Sequence, residues 1–265
     1  MKLCLSGRLW ESPKGYSITL HEFLATAAEL GYQGIELRYP MIPPPEKLEA
    51  IRNEAKRLGV TVVFSTCAAL PRDDATRKDA IRVLDTIVAL GGHDIRATMG
   101  SDDDYAPMRT LADMASEKGI KVVMQIHINT LCDTVERTEQ CLKKLNHPNM
   151  RLTYDPIHLG WMGDRDMAAS ARRLKPWIVR ANVQNYAPAR SNQDPRQKIQ
   201  ILGKDWLRAL PGDPDGLDHN AYFKALRGIG FDGWINVMCD VDPSMTSKAV
   251  AKQNHDLLSP LLSAS

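Results

Sequence analysis

The sequence predicts an α/β fold, a single-domain (β/α)8 TIM barrel over residues 1–265, on three observations. Apolar β-like runs alternate with amphipathic helical segments from end to end. Eight such runs recur at intervals of about 30 residues, the span of one strand–helix unit. No Gly-rich phosphate turn follows the first run, where SGRLWESPKG stands, so a doubly wound nucleotide-binding sheet is the weaker alternative.

The β-like runs start near Lys2, Gly34, Thr61, Asp94, Lys121, Arg151, Ile178 and Trp234. A helical pattern follows each. HEFLATAAELG (21–31) carries apolar residues at three- and four-residue spacing and stops at a glycine. PPPEKLEAIRNEAKRLG (43–59) opens with prolines in its first turn, where a missing N–H costs nothing, and closes on basic residues and Gly59. TRKDAIRVLDTIVALGG, YAPMRTLADMASEKG, CDTVERTEQCLKKLN and HNAYFKALRGIG follow the same pattern. After the seventh strand, residues 187–216 form an extended connection on the face where barrel active sites lie, a candidate lid.

A chain of 265 residues with 43% hydrophobic content supplies one large core. The net charge is +2, and no basic stripe with interleaved aromatics is present, so nucleic acid is not an expected partner. No apolar run approaches the roughly 18 residues that span a membrane. The N-terminal MKLCLSGRLW reads as a first strand rather than a signal peptide. Five scattered cysteines (Cys4, Cys67, Cys132, Cys141, Cys239) with no CxxC point to reduced thiols and a cytoplasmic location. Self-association is left open.

Chemistry concentrates at the strand ends, where barrel catalytic groups project. The fifth strand ends with Gln125 and His127 on one face, because strand side chains alternate. The sixth ends at Asp155, three residues before His158 in LTYDPIHLGW. The seventh turns Arg180, Asn182 and Gln184 to one face, and the eighth Asn236 and Met238, with Asp240 beyond. Polar groups on four consecutive strands, where a core prefers Val or Ile, mark a candidate site. A polar layer inside the barrel is the alternative for Arg180, Asn182 and Gln184. Glu36 and Arg38 share a face of the second strand, as an ion pair or as substrate contacts. The SDDDY turn (101–105) reads as a solvated helix cap. Arg190, Arg196, Lys198 and Lys204 read as lid surface or as an anion attractor. Trp10 and Trp161 read as core, rim or sugar-stacking groups.

The segments GYQGIELR, VVMQIHINTL, LTYDPIHLG, VRANVQNY and LPGDPDGLDHNAYFKALRGIGFDGWINVMCD together resemble the sugar phosphate isomerase/epimerase superfamily. This is the xylose isomerase-like barrel group, which also contains type IV apurinic endonucleases. The resemblance implies a divalent metal (Mn²⁺, Mg²⁺, Co²⁺ or Zn²⁺) held by Glu, Asp, His and Glu from the last four strands. Carried over in turn, the first Glu falls on Gln125, the Asp on Asp155, the His on Asn182 and the final Glu on Met238. The two auxiliary histidines fall on His127 and His158. Asp155 is therefore the one family ligand retained. The usual Mn or Mg site is expected to be lost, with no metal or an atypical one in its place, since an amide and a thioether suit a hard cation poorly. A relocated set of His127, Asp155 and His158 would suit zinc or iron.

Two-base epimerisation is disfavoured as well, because Gln and Met cannot exchange protons near neutral pH. The expected function is isomerase- or lyase-type proton abstraction on a sugar-like carbonyl compound. His127, Asp155 and His158 are the catalytic candidates, and Gln125, Arg180, Asn182, Gln184, Glu36 and Met238 the substrate-facing ones. The alternative is a catalytically lapsed barrel that binds a sugar or serves as a subunit of a heteromeric enzyme. An abasic-site endonuclease is disfavoured by the substituted ligands.

Overall fold

Strand follows strand around a closed barrel. The computed structural model describes residues 1–67, 69–189, 198–240 and 244–263. Strands β1 (Lys2–Ser6), β2 (Gly34–Leu37), β3 (Thr61–Thr66), β4 (Asp94–Ala97), β5 (Lys121–Gln125), β6 (Met150–Tyr154), β7 (Ile178–Val183) and β8 (Trp234–Val237) lie in chain order, and β8 pairs with β1 to close the ring. Every barrel pairing is parallel. Each expected strand is present, the sixth starting one residue earlier, at Met150.

Helices α1 (Leu20–Glu29), α2 (Leu48–Leu58), α3 (Asp74–Ala89), α4 (Tyr105–Glu117), α5 (Val135–Leu145), α6 (Pro156–Trp161), α7 (Met167–Leu174), α8 (His219–Gly228) and α9 (Ser247–Ser263) accompany the strands. Capping boxes at Thr19–Glu22 and Asp73–Thr76 start α1 and α3 by satisfying N–H groups that have no partner within the helix. The proline run before α2 differs from expectation. Pro45–Lys47 form a 3₁₀ turn and the α-helix starts at Leu48, because each proline disfavours helical geometry in the residue before it. Gly59 ends α2 with φ 68°, a left-handed conformation that glycine adopts without strain.

The main core lies between barrel and helices, with Leu3, Leu5, Phe23, Leu24, Ile35 and Leu84 among its buried members. Inside the barrel, Cys4, Val63 and Phe64 form a small apolar plug with Trp234 against it. Gly34 belongs to this floor. A Cβ there would lie 2.4 Å from Val63 and 2.8 Å from the Trp234 ring.

Arg180 also sits at this level, which corrects its expected role as a substrate contact. Its guanidinium stacks 3.6 Å from the Phe64 ring centroid and pairs with Asp94 across the barrel. Its side chain is 1% exposed, and it does not line the cavity described below.

The connection after β7 contains a three-stranded antiparallel sheet of Tyr186–Pro188, Lys204–Arg208 and Lys198–Ile201 in that spatial order. Arg190 and Arg196 lie outside the described residues. In the SDDDY turn, Asp104 is buried rather than solvated. It accepts from the Gly100 and Ser101 amides and pairs with Arg72. No helix among the described residues is long and apolar enough to cross a membrane.

The Arg180–Asp94 pair yields a stability prediction. Asp94→Ala leaves a buried guanidinium unpaired and is expected to lower stability by about 3 kcal/mol in urea unfolding. Adding Arg180→Met is expected to restore most of the loss, as the double variant's unfolding curve would reveal.

Candidate active site

Above the apolar plug, the barrel interior is a closed ring of polar side chains from six strands. Glu36 Oε2 accepts from Asn236 Nδ2 at 3.0 Å, and that amide also approaches Asn182 Oδ1 at 3.4 Å. Asn182 Nδ2 donates to Asp155 Oδ2 at 2.9 Å. Gln125 Nε2 donates to the same oxygen at 3.1 Å, and Gln125 Oε1 accepts from Arg96 Nη1 at 2.6 Å. Arg96 Nη2 returns to Glu36 Oε1 at 3.4 Å. A third amide, Gln184 Nε2, reaches Asp155 Oδ2 at 3.0 Å. The ring fixes the amide orientations. A guanidinium only donates and an ionised carboxylate only accepts, so Gln125 must turn its oxygen to Arg96 and its NH₂ to Asp155.

Asp155 directly follows β6 as the N-cap residue of α6, and Pro156 begins α6 immediately after it, with its fixed φ suited to a first helical turn. His158 follows one turn later, its Nε2 3.9 Å from Asp155 Oδ2. His127 lies two residues beyond β5, and the two imidazoles lie with centroids 3.9 Å apart.

The backbone of one residue sets both tautomers. The Ile128 carbonyl accepts from His127 Nδ1 at 2.7 Å, and the Ile128 N–H donates to His158 Nδ1 at 3.3 Å. In the neutral rings, His127 therefore carries its lone pair on Nε2, and His158 carries its hydrogen on Nε2. Asn129, at φ 62°, turns the chain here in a conformation that asparagine tolerates. Thr130 Oγ1 closes the loop by donating to the His127 carbonyl.

These groups open onto a cavity of about 600 Å³ lined by Gln125, His127, His158, Gln184 and Met238. Three guanidinium groups, Arg8, Arg38 and Arg96, line it too. Asp240 holds Arg8 at 2.8 Å, and Glu36 lies 3.6 Å from Arg38. Trp161 forms a rim wall with His158, Tyr186 and Trp206, whereas Trp10 packs in the core against Phe23. Ile199 and Ile201 of the connection after β7 also face the cavity.

The structure thus brings Gln125, His127, His158, Gln184 and Met238 to the cavity wall, holds Glu36, Asp155 and Asn182 buried in the ring beneath it, where they do not line the cavity, and leaves Arg180 in the floor. Sequence reasoning missed Arg96. The available signal was the alternation in DIRA, which turns Arg96 to the same face as Asp94.

The electrostatics follow from burial. Desolvation pushes Asp155 up to about 6, against the pull of its three amide donors. Burial and the neighbouring His127 push His158 down to about 2, and burial lowers His127. Burial alone would raise Glu36, but Arg96 and Arg38 hold it below the ordinary carboxylate range. Burial lowers Arg96 to about 10.

As for a metal, the four positions where the family resemblance places ligands present one carboxylate (Asp155), two amides whose NH₂ groups face it (Gln125 and Asn182), and the Met238 sulfur 4.0 Å from a guanidinium nitrogen. Among the described residues no group of three or more His, Cys, Asp or Glu side chains is arranged to hold an ion.

Two measurements test this geometry. Long-range ¹H–¹⁵N NMR near pH 7 is expected to report the Nδ1–H tautomer for His127 and the Nε2–H tautomer for His158; exchanged tautomers would contradict the assignment. The second is a pH effect with two opposing parts. The lowered histidines contribute stability that is present above their ordinary value of 6.5 and lost as pH falls below it. The raised Asp155 contributes stability that is present below 3.8 and lost as pH rises through about 6. Asp155→Asn removes only the second part. Between pH 7 and 4 the variant is expected to lose about 1–2 kcal/mol more stability than the parent in urea unfolding.

A family model described as xylose isomerase-like TIM barrel matches residues 24–261. Inosose dehydratase of Geobacillus thermodenitrificans is 25% identical over 142 residues, 53% of this chain and 47% of that protein. The chain thus spans about half the length of that relative. Inosose dehydratase of Lacticaseibacillus casei is 20% identical over 255 residues, covering 87% of this chain and 85% of its own. Among solved structures, a probable 3-DHS dehydratase of petrobactin synthesis from Bacillus anthracis superposes with TM-score 0.78 at 18% identity, over 98% of this chain and 99% of its own. A protein crystallised with a bound zinc atom superposes with TM-score 0.75 at 18% identity, over 99% of this chain and 98% of its own. With the model matching nearly end to end, the chain belongs to the xylose isomerase-like TIM barrel family.

Proposed function

We propose that this barrel is an isomerase- or dehydratase-type enzyme that removes a proton next to the carbonyl of a sugar-like or polyol-derived ketone. In this reading it works in the cytosol, in keeping with its five free cysteines. The observation that carries the proposal is the pair of imidazoles held in opposite tautomers by Ile128, one a base and the other a donor, beside a buried carboxylate.

His127 Nε2 takes the proton from the carbon next to the carbonyl. The C–H electron pair becomes the new C–C π bond, and the carbonyl π pair moves onto oxygen. In an elimination, the enolate then expels the neighbouring hydroxyl, which leaves as water with the proton His127 has taken up. In an isomerisation, the hydroxyl proton of the deprotonated carbon passes to the enolate oxygen, His127 returns its proton to the former carbonyl carbon, and the neighbouring C–O becomes the new carbonyl. His158 Nε2–H supplies a hydrogen bond on the same wall.

One-sided equipment favours steps that occur on one face of the substrate. Inversion would need a second base opposite the first, and the positions that supply it in the family hold Gln125 and Met238. The relatives named as dehydratases support elimination as the leading case.

The same reading dispenses with the family's divalent ion. Hard cations favour several anionic oxygens, and the four positions where the family resemblance places ligands hold one carboxylate, two amides and a thioether. An ion bonded to Gln125 Oε1 would also crowd a guanidinium nitrogen 2.6 Å from that oxygen. At about 4 Å and an effective dielectric of ~20, a doubly charged ion meets roughly 8 kcal/mol of repulsion from that group.

The test is turnover of keto-polyols and ketoses by the purified protein, followed by NMR in D₂O. His127→Ala is expected to lower kcat by about 10²–10⁴-fold, and Asp155→Asn to lower it as well. Unchanged turnover in both variants would sink the proposal. Ligand-dependent thermal stabilisation without turnover would instead indicate a sugar-binding barrel.

A further inference from the structure

We infer that Arg96 is the resident cation of this site and the electrophile for the oxyanion formed in the reaction. This deepens the function proposed above and rests on it for the identity of that anion. The first support is position. Arg96 projects from β4 into the cavity, contacts Gln125 Oε1 at 2.6 Å and Met238 Sδ at 4.0 Å, and approaches Glu36 Oε1 at 3.4 Å. Gln125 and Met238 fall where the family resemblance places the two Glu ligands. The guanidinium thus lies against two of the residues that no longer suit an ion.

The second support is rigidity. The fork is held on one side by a buried carboxylate and on another by an amide that is itself held by Asp155. An electrophile fixed before the reaction need not reorganise as charge develops. The third is spare capacity. A guanidinium has five N–H donors in a fixed plane, and the contacts to Gln125, Met238 and Glu36 leave donors for a ligand in the cavity, toward which the side chain is 11% exposed.

In the step itself, His127 takes the carbon-bound proton and the carbonyl oxygen gains the electron pair. Arg96 donates hydrogen bonds to that oxygen while keeping all of its own protons. No oxidant or co-reactant is needed. The charge that a metal would offset is offset by a group built into strand β4.

The test uses oxalate, a planar dianion resembling an enediolate, and the full-length protein treated with EDTA. Calorimetry is expected to show oxalate binding without metal. Arg96→Met is expected to weaken it about tenfold or more, the weight of one charge-assisted contact, whereas Arg96→Lys retains most of it. Arg38→Met, which removes a guanidinium from the same cavity but not from the ring, is expected to cost less than Arg96→Met. In parallel, electron paramagnetic resonance is expected to show that the unaltered protein leaves the spectrum of added Mn²⁺ the same as in protein-free controls, without oxalate and at matched oxalate; this readout needs no variant to fold. Oxalate binding that requires Mn²⁺, or binding unchanged in Arg96→Met, overturns the inference. The expected oxalate pattern in a protein that turns over no ketone would sink the enzymatic reading alone. Turnover that survives Arg96→Met and depends on Mn²⁺ would sink this inference alone.

Discussion

Two carboxylates buried inside the barrel, Glu36 and Asp155, are both 0% exposed, and the surrounding structure is organised by the need to stabilise them. An ionised carboxylate out of water is tolerated only with a partner charge or several donors. Glu36 receives Arg96, Arg38, Asn236 and the Ser6 hydroxyl. Among the described residues Asp155 receives neutral donors, three amide NH₂ groups and the His158 backbone N–H. The difference in partners explains the opposite displacements of the two acids. Guanidinium groups keep Glu36 ionised, while amides do not overcome the desolvation of Asp155. One buried acid is thus a fixed anion and the other is poised near neutrality.

That division separates the barrel by height. The floor is sealed by Phe64, Val63 and Trp234, with Arg180 laid across Phe64 toward Asp94. The ring of Glu36, Arg96, Gln125, Asp155, Asn182 and Asn236 comes next, followed by the cavity and its imidazoles. Apolar stabilisation comes chiefly from the interface between strands and helices, where burial contributes roughly 25 cal/mol per Å². The interior is therefore free to be polar. A polar ring of this kind confers little net stability, but it fixes side-chain orientations, which a reaction site requires.

Much of this was legible in the sequence, and the failures have physical causes. Strand alternation identified the inward faces of β5, β7 and β8, because period two follows from backbone geometry alone. It did not give depth. Two residues along a strand move a side chain by about 6.6 Å, enough to put Arg180 in the floor while Asn182 joins the ring. Arg96 escaped notice because its significance lies in partners on other strands, Glu36 on β2 and Gln125 on β5. The tautomers of His127 and His158 could not be read from residue types at all. They depend on where one peptide group, that of Ile128, points its N–H and C=O.

The substitutions at the family's ligand positions also become intelligible as a set. Replacing two ligand carboxylates by Gln125 and Met238 would strand a divalent ion without enough negative charge. Retaining those carboxylates beside Arg96 would neutralise the guanidinium and occupy its donors. In the proposed reading, carboxylates absent from positions 125 and 238 and a guanidinium built in beside them are compatible with each other. Arg96 donates to the oxygen of Gln125, and the NH₂ this leaves on Gln125 is what Asp155 accepts. The amide at position 125 thus couples the cation of the ring to its poised acid. A glutamate there would serve the first and repel the second.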